Sequence, residues 1–543
     1  METPVPRDAS APQASAPPAP SGPSADASTD CDVLVVGGGI NGVGIARDLA
    51  GRGWRVVLAE QDDLAAHTSS SSTKLIHGGL RYLEYCEFAL VRKALQEREV
   101  LLKSAPHIMW PLRVVMPHEP SMRPVWMVRI GLFLYDHLAK REWLPASKVV
   151  DLRQDPVGAP LQDRYTRGFV YSDGWVDDAR LVVLNAIDAR QRGARILTRT
   201  RCTAAQRSAT GWQVSLRSAH GQSRQVSARA LVNAAGPWAE QFLRGTATSA
   251  DGRSLATKSL RLVKGSHIVV PRCFEHDHAY IFQNPDRRII FAIPYERDFT
   301  LIGTTDQEIE GDPGQARIDE QEVAYLCEQS SRYFKRAITP ADVVWTYAGV
   351  RPLLDDASGD PSAVTRDYLL ESNTQGAPLL SVWGGKITTF RKLAEEAADD
   401  VGHMLGEPRK PWTEGQSLPG GDLSAWVGAA QRPDTDFERL LQAVQARHGW
   451  LPPALALRLC RAYGSRIDGV IGAATALTGL GAEVAPGLHE AELHFLMRDE
   501  WAVDAQDILW RRSKLGLHYT EPQCQQVAQW LAQQTTAGAV PQA

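Results

Sequence analysis

Three glycines near the start of the chain, Gly37, Gly39 and Gly42, follow the spacing G-x-G-x-x-G. In a dinucleotide-binding turn the first glycine allows the tight turn and the second lets the backbone approach a pyrophosphate. The third lets the following helix pack closely on the strand. The start of that helix offers free N–H groups and a partial positive charge to phosphates. The spacing therefore predicts a site for the pyrophosphate of a dinucleotide.

The elements around this turn follow the order that such a site needs. Residues 32–36 are a short apolar run, residues 40–50 have a helical pattern, and residues 55–60 are a second apolar run that ends in Glu60. This βαβ order favours a parallel sheet. A carboxylate at the end of the second strand can accept hydrogen bonds from ribose hydroxyls. The turn by itself does not distinguish FAD from NAD.

Two later segments look like returns to the same domain. Residues 230–236 (ALVNAAG) are a strand that ends in small residues, and residues 379–389 (LLSVWGGKITT) are a strand, a double-glycine turn and a helix start. A nicotinamide enzyme needs no such distant cofactor segments, and nothing in the sequence looks like a second dinucleotide turn. FAD is therefore the predicted cofactor.

Composition excludes several other classes of protein. The 543 residues suggest two to four domains, and the formal net charge of −4 gives no global basic field for nucleic acid. The seven cysteines contain no CxxC pair, so neither a disulfide framework nor a metal site is expected. Reduced thiols are typical of a cytoplasmic protein. Residues 1–30, rich in Pro, Ala and Ser, are expected to be a disordered tail.

The rest of the chain divides into a strand-rich middle and a helical end. Strand-like runs at 266–270, 288–293 and 299–302 favour a largely antiparallel sheet. The pattern changes past about residue 407, where a linker-like segment precedes a series of helical stretches. These stretches cover 436–448, 455–463, 490–499, 505–515 and 521–533.

Ten further segments together resemble the FAD-dependent glycerol-3-phosphate dehydrogenases, in particular the aerobic, respiratory type of bacteria. The resemblance covers nearly everything from residue 31 to about residue 520, and the first thirty residues depart from the bacterial pattern. The segments are SSTKLIHGGLRYLE (71–84), MVRIGLFLYDHLAKR (127–141), YSDGWVDDARLV (171–182), VNAAGPWA (232–239), KGSHIVVPR (264–272), IGTTD (302–306), WTYAGVRPLLDD (345–356), TRDY (365–368), WGGKITTFRKLAE (383–395) and EAELHFLMRDEWAVDAQDILWRRSKLG (490–516).

The resemblance implies an α/β fold with three domains. A glutathione-reductase-like FAD-binding domain would comprise residues 31–105, 175–243 and 372–406. An antiparallel β-sheet substrate domain would comprise residues 106–174 and 244–371. An all-α C-terminal domain would comprise residues 407–543.

The resemblance also implies oxidation of sn-glycerol 3-phosphate to dihydroxyacetone phosphate, in the catabolism of glycerol. Electrons would leave through a quinone, either ubiquinone or menaquinone. The protein would be cytoplasmic and peripherally attached to the inner face of the cell membrane. The oligomeric state is left open, with a homodimer as one alternative.

Such a substrate carries a phosphate and a secondary alcohol, so the protein must supply cationic groups and a proton acceptor. The planar fork of arginine suits phosphate oxygens. On the family pattern, Arg81, Arg351 and Arg366 line the substrate pocket, and Tyr82 adjoins as a hydroxyl donor. The sequence does not assign which arginine holds the phosphate, although a cation near the reacting hydroxyl would stabilise the developing alkoxide.

Histidine is suited to accept the proton, because its unperturbed pKa of about 6.5 lies near neutrality. His267, in the strand-like run GSHIVV, lies where the family has its active site. His77, in LIHGGL, is the rival, because it follows the Ser/Thr-rich loop beside the flavin. For either residue the structural alternative is a histidine satisfied within the fold.

Further residues are expected to contact the FAD. Helix N-termini favour negative charge, and reduced flavin is anionic around N1. The turn before residue 390 would therefore stabilise the reduced cofactor, with Lys386, Thr388 and Thr389 as hydrogen-bond donors. With the glycines and Glu60 named above, the predicted cofactor-binding residues also include Ser72, Thr73, Lys74, Ala235, Gly236, Gly384 and Gly385.

The apolar stretch 125–135 is flanked by basic residues at 113, 123, 129, 140 and 141. This combination suits a monotopic membrane contact, and its alternative is a buried helix of the substrate domain. Other functions stay open as well. They are a glycerol-3-phosphate oxidase that uses oxygen, an amine or amino-acid oxidase of the same fold, and a flavin-bound regulatory protein without turnover.

Overall fold

The computed structural model describes residues 29–119, 122–286, 288–355 and 367–536. The predicted tail therefore lies outside the described residues except for Thr29 and Asp30, and Arg366 lies outside them as well.

The strands of the described part are, in chain order, β1 (Cys31–Val36), β2 (Val56–Ala59), β3 (Leu75–Ile76), β4 (Met109–His118), β5 (Lys148–Asp151), β6 (Arg167–Val176), β7 (Arg195–Leu197), β8 (Thr200–Arg207), β9 (Trp212–Ser218), β10 (Ser223–Asn233), β11 (Ala247–Thr248), β12 (Leu260–Pro271), β13 (Ala279–Gln283), β14 (Ile289–Tyr295), β15 (Phe299–Gly303), β16 (Gln307–Glu308), β17 (Trp345–Leu354), β18 (Leu369–Asn373), β19 (Leu379–Trp383), β20 (Glu483–Ala485) and β21 (Leu488–His489).

The α-helices are α1 (Ile40–Gly51), α2 (Phe88–Ser104), α3 (Val125–His137), α4 (Asp178–Gln191), α5 (Ala239–Gly245), α6 (Glu320–Ser331), α7 (Phe390–Met404), α8 (Ser424–Val427), α9 (Pro433–Arg447), α10 (Pro453–Tyr463), α11 (Ile467–Ile471), α12 (Glu490–Glu500) and α13 (Glu521–Thr536).

The first sheet contains the predicted βαβ unit. Its strand order is β11-β8-β9-β10-β1-β2-β7, and β19 joins it beside β10. β1 pairs in parallel with β2 and β10, and β10 pairs in parallel with β19, so both predicted returning segments enter this sheet. Every residue of β1 is buried, because the sheet is covered on both faces. Val33 and Val35 pack in the core formed with α1, α4 and α7.

The second sheet is largely antiparallel, as the strand-like runs predict. Its order is β16-β12-β15-β14-β13-β4-β6-β3, with β17 added beside β12 and β5 beside β6. The β12–β17 pairing is long, running from Leu260↔Leu354 to Val269↔Trp345. This register places the segment around residue 267 beside the segment around residue 351.

The end of the chain is helical, from α8 to α13, and has its own apolar core. It also contains one two-stranded ribbon, β20 with β21, which the sequence did not predict. The fold is thus the predicted α/β arrangement of a nucleotide-binding sheet, a second antiparallel sheet and a helical C-terminal region. The domain boundaries drawn from the sequence remain predictions.

Candidate active site

A cleft of about 400 Å³ opens at the carboxyl end of β1. The glycine turn, the end of β2, the small residues after β10 and the double-glycine turn after β19 all contribute to its walls. Among the predicted cofactor-binding residues it is lined by Gly37, Gly39, Glu60, Ala235, Gly236, Gly384 and Gly385. The glycine turn and the two later segments that the sequence predicts to return to it therefore lie around the same cleft.

The glycine turn is closed by backbone contacts that leave no room for side chains. Gly37 has a φ of +108°, and a Cβ there would lie 2.4 Å from the carbonyl oxygen of Ala234. A Cβ on Gly42 would lie 1.9 Å from the carbonyl oxygen of Gly37. These approaches let the segment after β10 and the start of α1 border the same cleft. The geometry fits a pyrophosphate at the start of α1.

Glu60 ends β2 at the rim of this cleft and holds its shape. Its carboxylate accepts the backbone N–H of Gly38 at 2.6 Å and that of Asp62 at 2.9 Å. Burial raises the pKa of Glu60. Glu60, Asp62 and His67 place their ligand atoms within 4.8 Å of one another, but both oxygens of Glu60 already accept backbone N–H groups.

The loop that carries Ser72, Thr73 and Lys74 is anchored from behind. Lys74 is buried with a φ of +58°, and its ammonium donates to Asp178 at 2.9 and 3.0 Å and to the carbonyl of Ser70. The hydroxyl of Ser72 also donates to Asp178, at 2.7 Å. Asp178 therefore holds this loop in place through Lys74 and Ser72. The predicted contacts of Ser72, Thr73 and Lys74 with the cofactor remain predictions.

The turn after β19 brings a second group of predicted residues together. The Nζ atom of Lys386 lies 3.9 Å from the centre of the Tyr82 ring. The hydroxyl of Thr388 accepts the backbone N–H of His77 at 3.2 Å. Thr388 and Thr389 are buried, immediately before α7. The segment 77–82 thus lies against the predicted flavin turn.

His267 lies in β12 under the Ser/Thr-rich loop. Its Nε2 atom is 3.0 Å from the hydroxyl oxygen of Thr73, and its ring stacks on Tyr347 with centres 4.7 Å apart. The imidazole is buried, and its Nδ1 atom has no hydrogen-bond partner among the described residues. Burial, helped by the nearby charges of Lys74 and Arg351, holds the pKa of His267 well below its usual range. The ring is therefore neutral near pH 7 and able to accept a proton.

Arg351 lies in the neighbouring strand, β17. Its guanidinium pairs with Asp306 and donates to the Thr304 hydroxyl at 3.2 Å and the Thr305 carbonyl at 3.3 Å. A guanidinium has five N–H donors, so these bonds leave donors for a further partner. Its side chain is 30% exposed, which gives a substrate access to them.

β17 connects these residues to the cleft. The Thr68 hydroxyl donates to the carbonyl of Val350 at 2.7 Å, and Pro352, next to Arg351, lines the cleft together with the double-glycine turn. Arg351 is therefore the chain neighbour of a residue that lines the nucleotide cleft, and His267 lies on the strand paired with β17. Arg81 is partly exposed, with its Nη2 atom 3.5 Å from the Tyr85 hydroxyl oxygen.

Several residues that shape the cleft were not predicted. Asn41, inside the glycine motif, donates to the carbonyl of Gly384 at 3.1 Å, and the Ser69 hydroxyl accepts the N–H of Ile40 at 2.9 Å. His67 and Trp238 also line the cleft, with ring centres 4.7 Å apart. A polar residue at the first turn of a helix was the available signal for Asn41. Nothing in the local sequence indicated the others.

Comparison with known proteins agrees with this geometry. The profile of the FAD dependent oxidoreductases matches residues 32–391. This chain belongs to the family of FAD-dependent oxidoreductases. FAD is the cofactor of the family, and the glycine turn, Glu60 and the small residues around the cleft fit its pyrophosphate and ribose. The profile of the C-terminal domain of alpha-glycerophosphate oxidase matches residues 412–537, which covers most of the helical end.

Individual relatives confirm the family resemblance found in the sequence. A "Glycerol-3-phosphate dehydrogenase" of Pseudomonas aeruginosa is 52% identical, covering 94% of this chain and 96% of its own. The "Aerobic glycerol-3-phosphate dehydrogenase" of Escherichia coli is 46% identical, covering 93% and 98%. A "D-erythritol 1-phosphate dehydrogenase" of Brucella abortus is 50% identical, covering 92% and 97%.

A solved structure is similar over the whole described fold. The glycerol-3-phosphate dehydrogenase of Bacillus halodurans, complexed with FAD, aligns with a TM-score of 0.73 at 26% identity. The alignment covers 93% of this FAD-dependent oxidoreductase and 91% of the other chain. Among the described residues, no helix has the length and apolar character needed to span a bilayer.

Proposed function

We propose that this protein oxidises sn-glycerol 3-phosphate to dihydroxyacetone phosphate and passes the electrons to a membrane quinone, either ubiquinone or menaquinone. One structural observation carries the proposal. A neutral imidazole, His267, and a partly exposed guanidinium, Arg351, stand on the adjacent strands β12 and β17, and Pro352, next to Arg351, lines the FAD cleft. Oxidation of a secondary alcohol needs a proton acceptor and a cation close to the oxygen.

The cationic residues have separate tasks in this proposal. Arg351 is fixed by Asp306 and Thr304, so its remaining N–H donors can hold the substrate oxygen at a defined position. Arg81 and Arg366 are proposed to bind the phosphate, since arginine matches phosphate oxygens bidentately. Tyr82, which lies against Lys386, is proposed to donate its hydroxyl to the substrate.

The proton leaves the substrate hydroxyl toward His267. The hydroxyl of Thr73 lies 3.0 Å from Nε2 of His267, and a hydroxyl can donate one proton while it accepts another. Thr73 can therefore pass the proton of the alcohol to Nε2. His77, whose backbone N–H donates to the Thr388 hydroxyl at 3.2 Å, is the alternative acceptor proposed from the sequence.

Bound FAD would supply the acceptor for the hydride, one proton with two electrons, that the carbinol carbon gives up. The protein's part is to hold the substrate and the turn 384–389 in place. The start of α7 offers a partial positive charge at this turn. Lys386 adds a cation there.

D-Erythritol 1-phosphate is a second candidate substrate. The observation that favours it is the 50% identical relative of that name. Both compounds combine a phosphate monoester with a secondary alcohol, so the same arginines and the same proton acceptor would serve. The longer polyol chain needs additional space beyond the reacting carbon.

Steady-state rates of the purified holoenzyme with a soluble quinone analogue test these alternatives. We expect the kcat/KM for sn-glycerol 3-phosphate to exceed that for D-erythritol 1-phosphate at least tenfold. A higher kcat/KM for D-erythritol 1-phosphate would identify that compound as the substrate. Oxygen uptake with matching peroxide release, at the same rate without the quinone analogue, would contradict a quinone-linked dehydrogenase. Turnover of an amino acid alone would contradict both substrates.

The proposed membrane contact is α3. Trp126, Ile130 and Phe133 of this helix are 62%, 52% and 60% exposed, which does not fit the alternative of a buried helix. Tyr85 and Phe88, which flank the start of α2, are also largely exposed. A set of exposed large apolar side chains with Arg129 among them suits insertion into the interface of a bilayer. Such a contact would bring the protein to the cytoplasmic face of the membrane, in whose hydrocarbon core the quinone is dissolved.

A further inference from the structure

A second cavity, of about 990 Å³, lies between the helical C-terminal region and the rest of the chain. Its walls come from α10, the segment 512–518, the segment 294–298, the region just before and at the start of β4, and the region around the start of α4. It shares no lining residue with the FAD cleft. The proposed reaction makes no use of it.

Most of the cations around this cavity are compensated, and its wall also carries the carboxylates of Glu296, Asp298 and Glu483. Three of its arginines form ion pairs with buried carboxylates: Arg180 with Glu500, Arg458 with Glu492, and Arg512 with Asp63. Two further cations of the cavity wall lie farther from their carboxylate partners. Lys514 lies 3.8 Å from Asp177, and Arg272 lies 3.7 Å from Asp277.

Arg461 differs from these residues. Its guanidinium lies 4.2 Å from the centre of the Trp110 ring and 3.5 Å from that of the Phe437 ring. Its hydrogen bond to the carbonyl of Pro106 is long, at 3.5 Å, and it forms no ion pair with any described carboxylate. Burial lowers the pKa of Arg461 to about 9. Two aromatic rings offset only part of the cost of holding a cation away from water.

Two more groups without counterparts line the same cavity. His107 is buried, and neither of its ring nitrogens has a hydrogen-bond partner among the described residues. Burial, with nearby arginines, holds its pKa well below the usual range, so the ring is neutral with one N–H to donate. Arg297 is exposed at the turn between β14 and β15 and forms no ion pair within the described part of the chain.

We propose that this cavity is a binding site for a phosphate group, either inorganic phosphate or the phosphate of a small ester, held by Arg461, Arg297 and His107. A phosphate monoester carries close to two negative charges at pH 7 and can neutralise both guanidinium groups. A single carboxylate would compensate only one of them. The volume admits a ligand larger than phosphate itself, and Glu296 at the wall can bond to its hydroxyl groups.

The position of the cavity connects it to the FAD cleft. Asp177 lines the cavity and caps α4. The next residue, Asp178, anchors Lys74 and Ser72 of the loop beside the cleft. A ligand that shifts Asp177 would therefore shift the loop, so occupancy of the cavity is expected to change the visible absorbance of the bound flavin.

Calorimetric titration of the holoenzyme with inorganic phosphate and with glycerol 2-phosphate tests the site. Glycerol 2-phosphate has no free secondary hydroxyl, so it is not oxidised. The variants are Arg461→Gln and Arg297→Gln, and the second changes an exposed side chain. The matched control is Arg447→Gln, an exposed arginine of α9 that pairs with Asp468 outside the cavity. Arg81→Gln, which removes a proposed phosphate ligand of the active site, separates this site from the active site.

We expect Arg461→Gln and Arg297→Gln each to weaken phosphate binding at least about tenfold, because each removes a charge-assisted partner. Arg447→Gln and Arg81→Gln should leave this binding and the accompanying flavin spectral change in place. Tighter binding of the ester than of inorganic phosphate would show that the ester is the ligand, and equal binding that phosphate alone is recognised. Unchanged binding in both cavity variants, or loss of all binding in Arg81→Gln, would overturn the proposal.

Discussion

At the scale of single residues, His267 and Lys74 show what a sequence motif can and cannot predict. The motif GSHIVV predicts a histidine suited to accept a proton, and the structure places His267 next to Thr73, while its role remains a prediction. Lys74 is predicted to contact the cofactor, and what the motif did not predict is that its ammonium is buried against Asp178, 104 positions away in the chain. Long-range pairing of this kind has no local signal, so the sequence could not assign it.

Replacement of Arg351 tests the cation at the reacting oxygen. We expect Arg351→Ala to lower kcat/KM by roughly 10²–10³-fold, because it removes electrostatic stabilisation of the developing alkoxide. FAD should stay bound, since Arg351 contacts Asp306 and Thr304 and not the glycine turn. The control is Arg153→Ala, an exposed arginine paired with Asp151. Loss of flavin with unchanged kinetics in the residual holoenzyme would contradict the assignment.

Replacement of Thr73 tests the proton path to His267. Thr73→Val keeps the shape of the side chain but removes the hydroxyl, so kcat should fall roughly 10–10²-fold. Thr73→Ser keeps the hydroxyl and should restore most of the rate. The readout is kcat at saturating substrate in the two variants. Equal rates in Thr73→Val and the unchanged protein would rule out the relay.

The low pKa of His267 predicts how kcat and stability depend on pH. The neutral ring is the active form, and its pKa lies below the usual value of about 6.5, so acidification should leave kcat unaffected until well below that pH. As the pH falls, His267 is protonated in the unfolded chain at a higher pH than in the folded protein. The free energy of unfolding is therefore unaffected by this residue above about pH 6.5 and decreases below it. These two effects can be separated by following kcat and the melting temperature over the same pH series.

At the scale of elements, the helices and strands with a strong hydrophobic periodicity were predicted from the sequence. The contacts between segments distant in the chain were not. The βαβ start, the strands around His267 and the helices α9, α10, α12 and α13 follow the expected segments closely. The segment 505–515 differs from the α-helix expected there. Residues 507–512 form a π-helix, which ends before the separate short turn that begins at Leu515. Arg511 and Arg512 are adjacent in that segment, yet both donate to Asp63. Contacts with a residue so far away in the chain override the local helical pattern.

The exposed face of α3 predicts how the protein meets a membrane. Phe133→Glu places a charge in the middle of the apolar face and should reduce binding to vesicles of mixed neutral and anionic lipids at least tenfold. Activity with a soluble quinone analogue should be unchanged, because α3 is not part of the cleft. Gln213→Glu, at an exposed position of β9, adds the same charge away from α3 and serves as a control for charge alone. Unchanged sedimentation of Phe133→Glu with vesicles would exclude α3 as the contact.

At the scale of the whole molecule, the C-terminal region is tied to the nucleotide-binding sheet through buried charges. Arg512 donates to both oxygens of Asp63 at 2.7 Å, and neither side chain is exposed by more than 1%. Asp63 follows the ribose-side Glu60 by only three residues. The sequence predicted both regions, but not that this ion pair joins them.

Breaking this pair should affect stability more than chemistry. Arg512→Leu leaves the carboxylate of Asp63 buried with Arg511 as its closest remaining partner, which we expect to cost about 3 kcal/mol of unfolding free energy. Denaturant unfolding of the holoenzyme measures this cost, and Arg498→Leu, which pairs with Asp499 at the surface, should change it by less than about 0.5 kcal/mol. Equal stability of the two variants would contradict a structural role for the pair.

The central claim is that this FAD-dependent oxidoreductase removes two electrons from a phosphorylated polyol, with His267 and Arg351 as the proposed proton acceptor and cation. Anaerobic addition of sn-glycerol 3-phosphate to the yellow holoenzyme tests it most directly, with dithionite as the control that the bound flavin can be reduced. We predict that the substrate bleaches the visible flavin absorbance as fully as dithionite does, and that Arg351→Ala slows this bleaching. A holoenzyme that stays yellow with excess sn-glycerol 3-phosphate and D-erythritol 1-phosphate, yet is bleached by dithionite, would contradict the account.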